Sequence, residues 1–292
     1  MDKRPAMNSA NSLLRLAKMR PALVKSASTI SNDLSRAGKN QSVLPDLLLP
    51  MSKRAIFIEH DHVSEGGPVW AQFEKRGYEI TRFNIVSEGQ FDAPNVSVEW
   101  PNLKEYDVVV SMGSPWGAWE DDRIGNWLLP EIDLMKDVHN AGIPILGICF
   151  GGQLMARVLG GSVARGPKAE LGWYVVMSDD ESMIARGPWF QYHWDRWQLP
   201  PGAKEIARTP LASQAFILGR TLGLQFHPEI DAAVLDTWLE MDGGCVEIED
   251  EGVDVHILRA QTKYEEPHSS QRARDLVDQF LDRVATAPVV RV

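Results

Sequence analysis

From residue 55 onward the apolar positions fall into short dense runs that alternate with stretches of helical spacing. Ala55-Ile56-Phe57-Ile58, leading to Glu59 and His60, reads as a first strand. Pro68 suits the first position of a helix, with Val69, Trp70 and Phe73 on one face and Gly77 as its stop. Tyr78 to Phe83 reads as a second strand, and 84–104, with Pro94 and Pro101, as a loop. Tyr106-Asp107-Val108-Val109-Val110-Ser111 has the continuous apolar centre of a strand buried on both faces. A loop from Met112 to Gly125 follows, then a helix over Trp127–Asn140 stopped by Gly142. Ile143-Pro144-Ile145-Leu146 is a fourth strand, and Leu154–Leu159 a helix that ends at Gly160 and Gly161. This β-α-β-loop-β-α-β-α order predicts an α/β fold: a mostly parallel central sheet with helices on both faces.

The pattern then turns β-like, adding a small antiparallel portion. Val163 and Leu171–Met177 look like short separate strands, and Ile184–Leu199 reads as irregular and aromatic. Glu205–Thr209, Gln214–Ile217 and Thr221–Phe226 are three more strands. A helix is expected over Ala232–Met241 and a terminal one over Ser270–Ala285, joined by an acidic, solvated connection from Gly243 to Pro267. Trp116, Trp119, Trp189, Trp194 and Trp197 are expected in loops, as a packed layer or as the wall of a pocket.

Composition adjusts this picture at one end. The chain of 292 residues carries a net charge of -10, which argues against a general nucleic-acid binder. Residues 1–50 are nevertheless basic, with a balance of +5 against -15 for the remainder. They lack strand-like alternation, and three readings stay open: a disordered extension, an upstream start with Met51 as the functional one, or an organelle transit peptide. The fold is expected in 51–292. No run approaches the roughly 18 apolar residues of a membrane-spanning helix. Two cysteines, Cys149 and Cys245, are too few for a disulfide framework and suit a reducing compartment such as the cytoplasm. Cys245 is assigned no role. No His/Cys cluster has metal-ligand spacing, so no metal or other cofactor is expected.

The chemistry concentrates in Gly147-Ile148-Cys149-Phe150-Gly151-Gly152-Gln153. A cysteine between a strand and a helix, with glycines two residues to either side, has the layout of a nucleophile elbow. The amides of the following helix point at the sulfur, which favours an anion there. Far downstream, Gln225-Phe226-His227-Pro228-Glu229 closes another strand. Pro228 keeps the segment extended, so His227 and Glu229 point the same way and the carboxylate can orient the imidazole. Either motif alone also suits an ordinary turn. Together, each at the carboxyl end of an apolar strand, they supply the nucleophile, base and orienting acid of a hydrolase.

These motifs resemble the class I (triad) glutamine amidotransferase family over about residues 54–240. The flavour is that of stand-alone members related to the glutaminase domain of guanylate (GMP) synthase. The resemblance implies a flavodoxin-like fold, with Cys149 as nucleophile, His227 as general acid/base and Glu229 as its orienter. It places Gln153 near the substrate and Met112-Gly113-Ser114-Pro115 at the family's oxyanion loop, where Ser114 replaces a glycine. Gly113 or Ser114 and the amide of Phe150 would then hold the oxyanion. His193, in Tyr192-His193-Trp194-Asp195, would be a substrate-side or interface residue. The implied reaction is glutamine hydrolysis to glutamate and ammonia, the ammonia passing to a separate synthetase. A γ-glutamyl peptide or amine hydrolase acting alone is the alternative, and a non-catalytic regulatory relative a third reading.

Overall fold

The computed structural model describes residues 52–241 and 244–292. The readings of residues 1–50 and of Met51 as a start lie outside the described residues. Among the described residues, nine strands form one sheet in the order β2-β1-β3-β4-β9-β8-β7-β5-β6. The first five are parallel: β1 (Lys53–Glu59), β2 (Tyr78–Asn84), β3 (Val108–Ser111), β4 (Ile145–Ile148) and β9 (Thr221–Leu224). Their order is the 2-1-3-4-5 arrangement of flavodoxin-like doubly wound sheets, whose ligands sit beyond the carboxyl ends of the strands. The rest, β8 (Ser213–Leu218), β7 (Lys204–Arg208), β5 (Ser162–Ser178) and β6 (Gly187–Gln198), continue it antiparallel.

The dense apolar runs of the parallel strands are explained by burial on both faces. Alternate residues Phe57, Val110, Leu146 and Leu224 pack on one side with α1 (Gly67–Lys75) and the C-terminal residues Leu276 and Phe280. Ile56, Ile58, Val109 and Ile145 pack on the other, against α2 (Asp121–Ala141) and α3 (Phe150–Val158). Fully buried Trp127, Phe150 and Phe216 belong to that second layer, each worth about 1.5–3 kcal/mol of apolar burial.

Several expectations need correction. Ile184–Leu199 is not irregular: β6 pairs with β5 along a long hairpin, interrupted by a register shift between Arg165 and Glu170. The alternation that marks a strand is hidden because both faces of β6 are covered. Trp189 and Trp197 enter the two sheet cores, while Phe190 and Tyr192 join a third cluster. Trp189, Trp194 and Trp197 therefore sit on a strand, not in loops. Val163 and Leu171–Met177 belong to one 17-residue strand. Helix α2 starts at Asp121, inside the predicted loop, and carries Pro130 within it.

The largest difference lies near the C-terminus. In place of a solvated connection from Gly243 to Pro267 there are α5 (Gly244–Asp250) and α6 (Val255–Gln279) after α4 (Ala232–Glu240). Ile248, Val255 and Leu258 are buried against Val234, Leu235 and Phe190. The acidic residues between them conceal this apolar stripe. Asp254 starts α6 by accepting from the amides of His256 (2.8 Å) and Ile257 (3.1 Å). Asp254→Ala is expected to lower stability by about 1 kcal/mol in urea unfolding, with Asp254→Asn close to wild type.

Candidate active site

Four neighbouring parallel strands deliver the site from their carboxyl ends. β1 leads into His60, β3 into the Met112–Gly113–Ser114 loop, β4 into Cys149 and β9 into Gln225-Phe226-His227-Pro228-Glu229. Cys149 has φ 49° and ψ -103°, and among the described residues no other non-glycine has a positive φ. Such a backbone costs on the order of 1–3 kcal/mol and persists only where its surroundings hold it. Its N–H donates to Leu224 O on β9 (2.8 Å), and its carbonyl accepts from Gln153 N–H in α3 (2.9 Å). Gly151 lets the elbow press against β3: a Cβ there would lie 2.0 Å from the Ser111 carbonyl oxygen. Gly147 similarly faces the Gly151 carbonyl at 2.5 Å. The sulfur-bearing residue is buried, at 6% exposure.

His227 and Glu229 point the same way, as their extended spacing requires. His227 Nδ1 lies 2.7 Å from Glu229 Oε1, with both side chains almost completely buried. The N–H of His227 donates to Phe190 O (2.9 Å), so β6 holds this segment by an isolated bridge. Trp238 and Phe190 meet the imidazole edge-on. Burial pulls the His227 pKa down, but the charges of Glu229 and of the Cys149 sulfur outweigh it and push it up to about 10. Among the described residues, the other ring nitrogen, Nε2, has no hydrogen-bonding partner other than the Cys149 sulfur, whose contact helps raise the pKa.

The remaining sequence-selected residues gather around these. Gly113 faces the imidazole, its Cβ position 3.3 Å from His227 Cε1. Ser114 has no positive φ, so it fits the loop without strain, and its Oγ accepts from the Trp116 amide at 3.2 Å. Phe150 opens α3, where an N–H lacks an intrahelical acceptor. Gln153 donates to Gln225 Oε1 and to Asp195 O, both at 3.3 Å. His193 is buried, with Nδ1 3.0 Å from Asp195 O and Nε2 3.3 Å from Glu170 Oε2, and Gln214 also donates to Glu170 (3.1 Å). The ring of His193 is thus engaged within the β5–β6 hairpin, through a Glu170 that Gln214 of β8 also bonds. Cys245 lies apart, its thiol 3.0 Å from Leu239 O.

Sequence reasoning missed Gln225, whose Nε2 lies 3.7 Å from the Cys149 sulfur. A signal existed: it stands two residues before His227, on the same side of an extended segment. It also missed His60 and Glu131, fully buried beside the Gly113 loop and mutually 3.2 Å apart. Among the described residues, no group of three or more His, Cys, Asp or Glu could hold a metal ion. Nor is any helix long and apolar enough to cross a membrane.

A doubly wound sheet with a strained cysteine elbow and a carboxylate-bound histidine at its carboxyl edge defines a cysteine-dependent α/β enzyme class. The family description "Glutamine amidotransferase class-I" matches residues 71–240, and the chain belongs to that family. It is 37% identical over 145 residues to the glutamine-hydrolysing GMP synthase of Aeropyrum pernix, covering 45% of this chain and 26% of that protein. It is 35% identical over 147 residues to a glutamine-hydrolysing GMP synthase subunit of Sulfolobus acidocaldarius, covering 47% of this chain and 73% of that one. The chain thus spans about a quarter of the length of the Aeropyrum synthase. A solved glutamine amidotransferase from Thermotoga maritima superposes with a TM-score of 0.68 at 28% identity, over 79% of this chain and 99% of that one. One from Methylobacillus flagellatus, at TM-score 0.64 and 19% identity over 79% and 94% of the two chains, shares the fold.

Folding stabilises the His227 imidazolium, so this contribution is complete below the unfolded value of 6.5 and is lost as pH rises through about 10. The His227 Cε1 proton, followed by NMR, is expected to report a charged ring through pH ~8. In Glu229→Gln the midpoint falls, and the loss of stability on the alkaline side becomes shallower. A wild-type ring that titrates below its ordinary value would contradict this.

Proposed function

We propose that this protein hydrolyses the side-chain amide of glutamine to glutamate and ammonia through Cys149, His227 and Glu229. The observation that carries the reading is the buried 2.7 Å His227–Glu229 pair, aimed at a cysteine held in a strained elbow. A resting imidazolium beside the sulfur places a positive charge next to the nucleophile and holds a proton for the leaving group. Cys149 Sγ attacks the amide carbon, and the carbonyl oxygen takes up the negative charge. Backbone N–H groups of the Gly113–Ser114 loop and of Phe150 stabilise that charge. The C–N bond breaks as His227 protonates the nitrogen, which leaves as ammonia. A γ-glutamyl thioester remains on Cys149. His227, now neutral, takes a proton from water, which attacks the thioester and releases glutamate. Glu229 holds the imidazole in the required tautomer throughout. Gln153 and Gln225 line the nucleophile's side of the site and orient the substrate amide.

Ammonia then passes to a separate synthetase. Family membership, together with the Sulfolobus relative being named as one subunit of a GMP synthase, supports this division of labour. The whole domain, 51–292, forms the glutaminase unit, and residues 1–50 an extension outside it. The same site suits a γ-glutamyl peptide or amine, so the assay needs a panel. Ammonia and glutamate release from glutamine and γ-glutamyl amines, with and without candidate synthetases, is expected in the wild type. Cys149→Ala lowers it by at least about 10³-fold and Glu229→Gln by about 10²-fold or more. Absence of thiol-dependent hydrolysis from every combination rejects the enzyme reading. Turnover of γ-glutamyl amines in preference to glutamine would make the chain a stand-alone hydrolase.

A further inference from the structure

We propose that the buried His60–Glu131 pair is the device that aims the oxyanion hole, by turning the Gly113–Ser114 peptide so that the Ser114 N–H faces the substrate. This rests on the amidase reading of the site and assigns it a positioning pair that the sequence motifs do not contain.

His60 and Glu131 are both 0% exposed. They come from distant parts of the chain, the end of β1 and the middle of α2, and meet beside the loop that follows β3. His60 Nδ1 lies 3.0 Å from the Gly113 carbonyl oxygen. A carbonyl oxygen only accepts, so Nδ1 must carry the hydrogen. His60 Nε2 lies 3.2 Å from each oxygen of Glu131, and Ser111 Oγ donates to Glu131 Oε1 at 3.4 Å. The carboxyl group thereby fixes the ring's orientation, as second partners of functional histidines commonly do.

The consequence follows from peptide geometry. The chain has no cis peptide bond among the described residues, and in a trans peptide the C=O and the next N–H point in opposite directions. With the Gly113 carbonyl bound to His60, the Ser114 N–H must point away from His60. The preceding carbonyl, Met112 O, is held by the Gly151 N–H at 3.1 Å, which ties the same loop to the elbow. Gly113 also packs against the His227 ring. The loop is therefore gripped at two successive carbonyls, and the donor that sequence reasoning left open between Gly113 and Ser114 is the Ser114 amide. The imidazole of His60 further packs on the Phe150 ring, with centroids 4.4 Å apart, so one side chain supports both residues that supply oxyanion donors.

Burying an acid and an imidazole away from water is costly, and an apolar pair of the same volume would fill this space as well for stability alone. A packing role and a positioning role make different predictions. The test uses the full chain with His60→Phe, His60→Asn, Glu131→Gln and Glu131→Leu, compared with wild type. Two rates are read: hydrolysis of the best γ-glutamyl amide substrate, and alkylation of Cys149 by iodoacetamide. Alkylation needs the nucleophile but no oxyanion hole. Expected for His60→Phe and Glu131→Leu is a fall in kcat of about 10²-fold with KM changed less than about threefold, since a misplaced oxyanion donor acts on the transition state. Alkylation stays within about twofold of wild type, a marker that these variants are folded around an intact Cys149. Glu131→Gln, which can still donate to Nε2 and so keep the hydrogen on Nδ1, retains most of the activity. His60→Asn, which keeps an N–H donor, falls between the extremes and serves if the phenylalanine variant does not fold. Unchanged kcat in His60→Phe and Glu131→Leu overturns the proposal. So does an alkylation rate that falls in step with kcat, because the pair would then act on the nucleophile. A wild type that hydrolyses nothing while Cys149 still alkylates overturns the amidase reading itself, and the pair's role with it.

Discussion

The structure turns on the backbone of Cys149. Its dihedrals of φ 49° and ψ -103° are ones that L-residues avoid, and they hold only because β4 is locked between β3 and β9. The carbonyl of Leu224 holds the cysteine amide from one side, and Ser111 crowds Gly151 from the other. The strain brings the sulfur to the carboxyl edge of the sheet, with the first amides of α3 beneath it. A side chain at Gly151 would push against the Ser111 backbone of β3, and one at Gly147 against the first turn of α3, so either substitution would displace the supports of the elbow before it touched the chemistry.

Around that point, each neighbouring strand contributes one kind of control. β9 leads to the imidazole and its carboxylate, β3 to the Gly113–Ser114 loop, and β1 to His60, which is bonded to the Gly113 carbonyl. The antiparallel extension closes the arrangement from the side. β6 holds His227 through Phe190 O, and α4 places Trp238 against the ring. The C-terminal helices are therefore part of what keeps the histidine buried, which a solvated tail could not do. That burial also makes the charge interactions strong, since little water separates His227 from Glu229 and the sulfur.

Legibility varied with the range of the interaction that defines each feature. The parallel strands could be read because burial on both faces leaves dense apolar runs such as Val108-Val109-Val110. The elbow could be read because its glycines and cysteine are adjacent in sequence, and His227 with Glu229 because two residues of extended chain align them. β6 could not, since both its faces are covered by different clusters and no period survives. The start of α6 was hidden for a related reason: acidic residues outnumber Val255 and Leu258 there, yet those two are what the fold buries.

By itself, then, the sequence determined the parallel α/β core, the cysteine elbow at its carboxyl edge, and the paired placement of His227 and Glu229. Each of these is written in local periodicity or in residues a few positions apart. Only the tertiary structure decided which side chains surround them. His60 and Glu131 are separated by 71 positions and Gln225 and Cys149 by 76; the second pair meets because strand order juxtaposes the ends of β4 and β9, the first because α2 packs on the sheet face beside the end of β1. Strand order is settled by the packing of helices on both faces of the sheet, a global balance of burial that no short stretch of sequence carries.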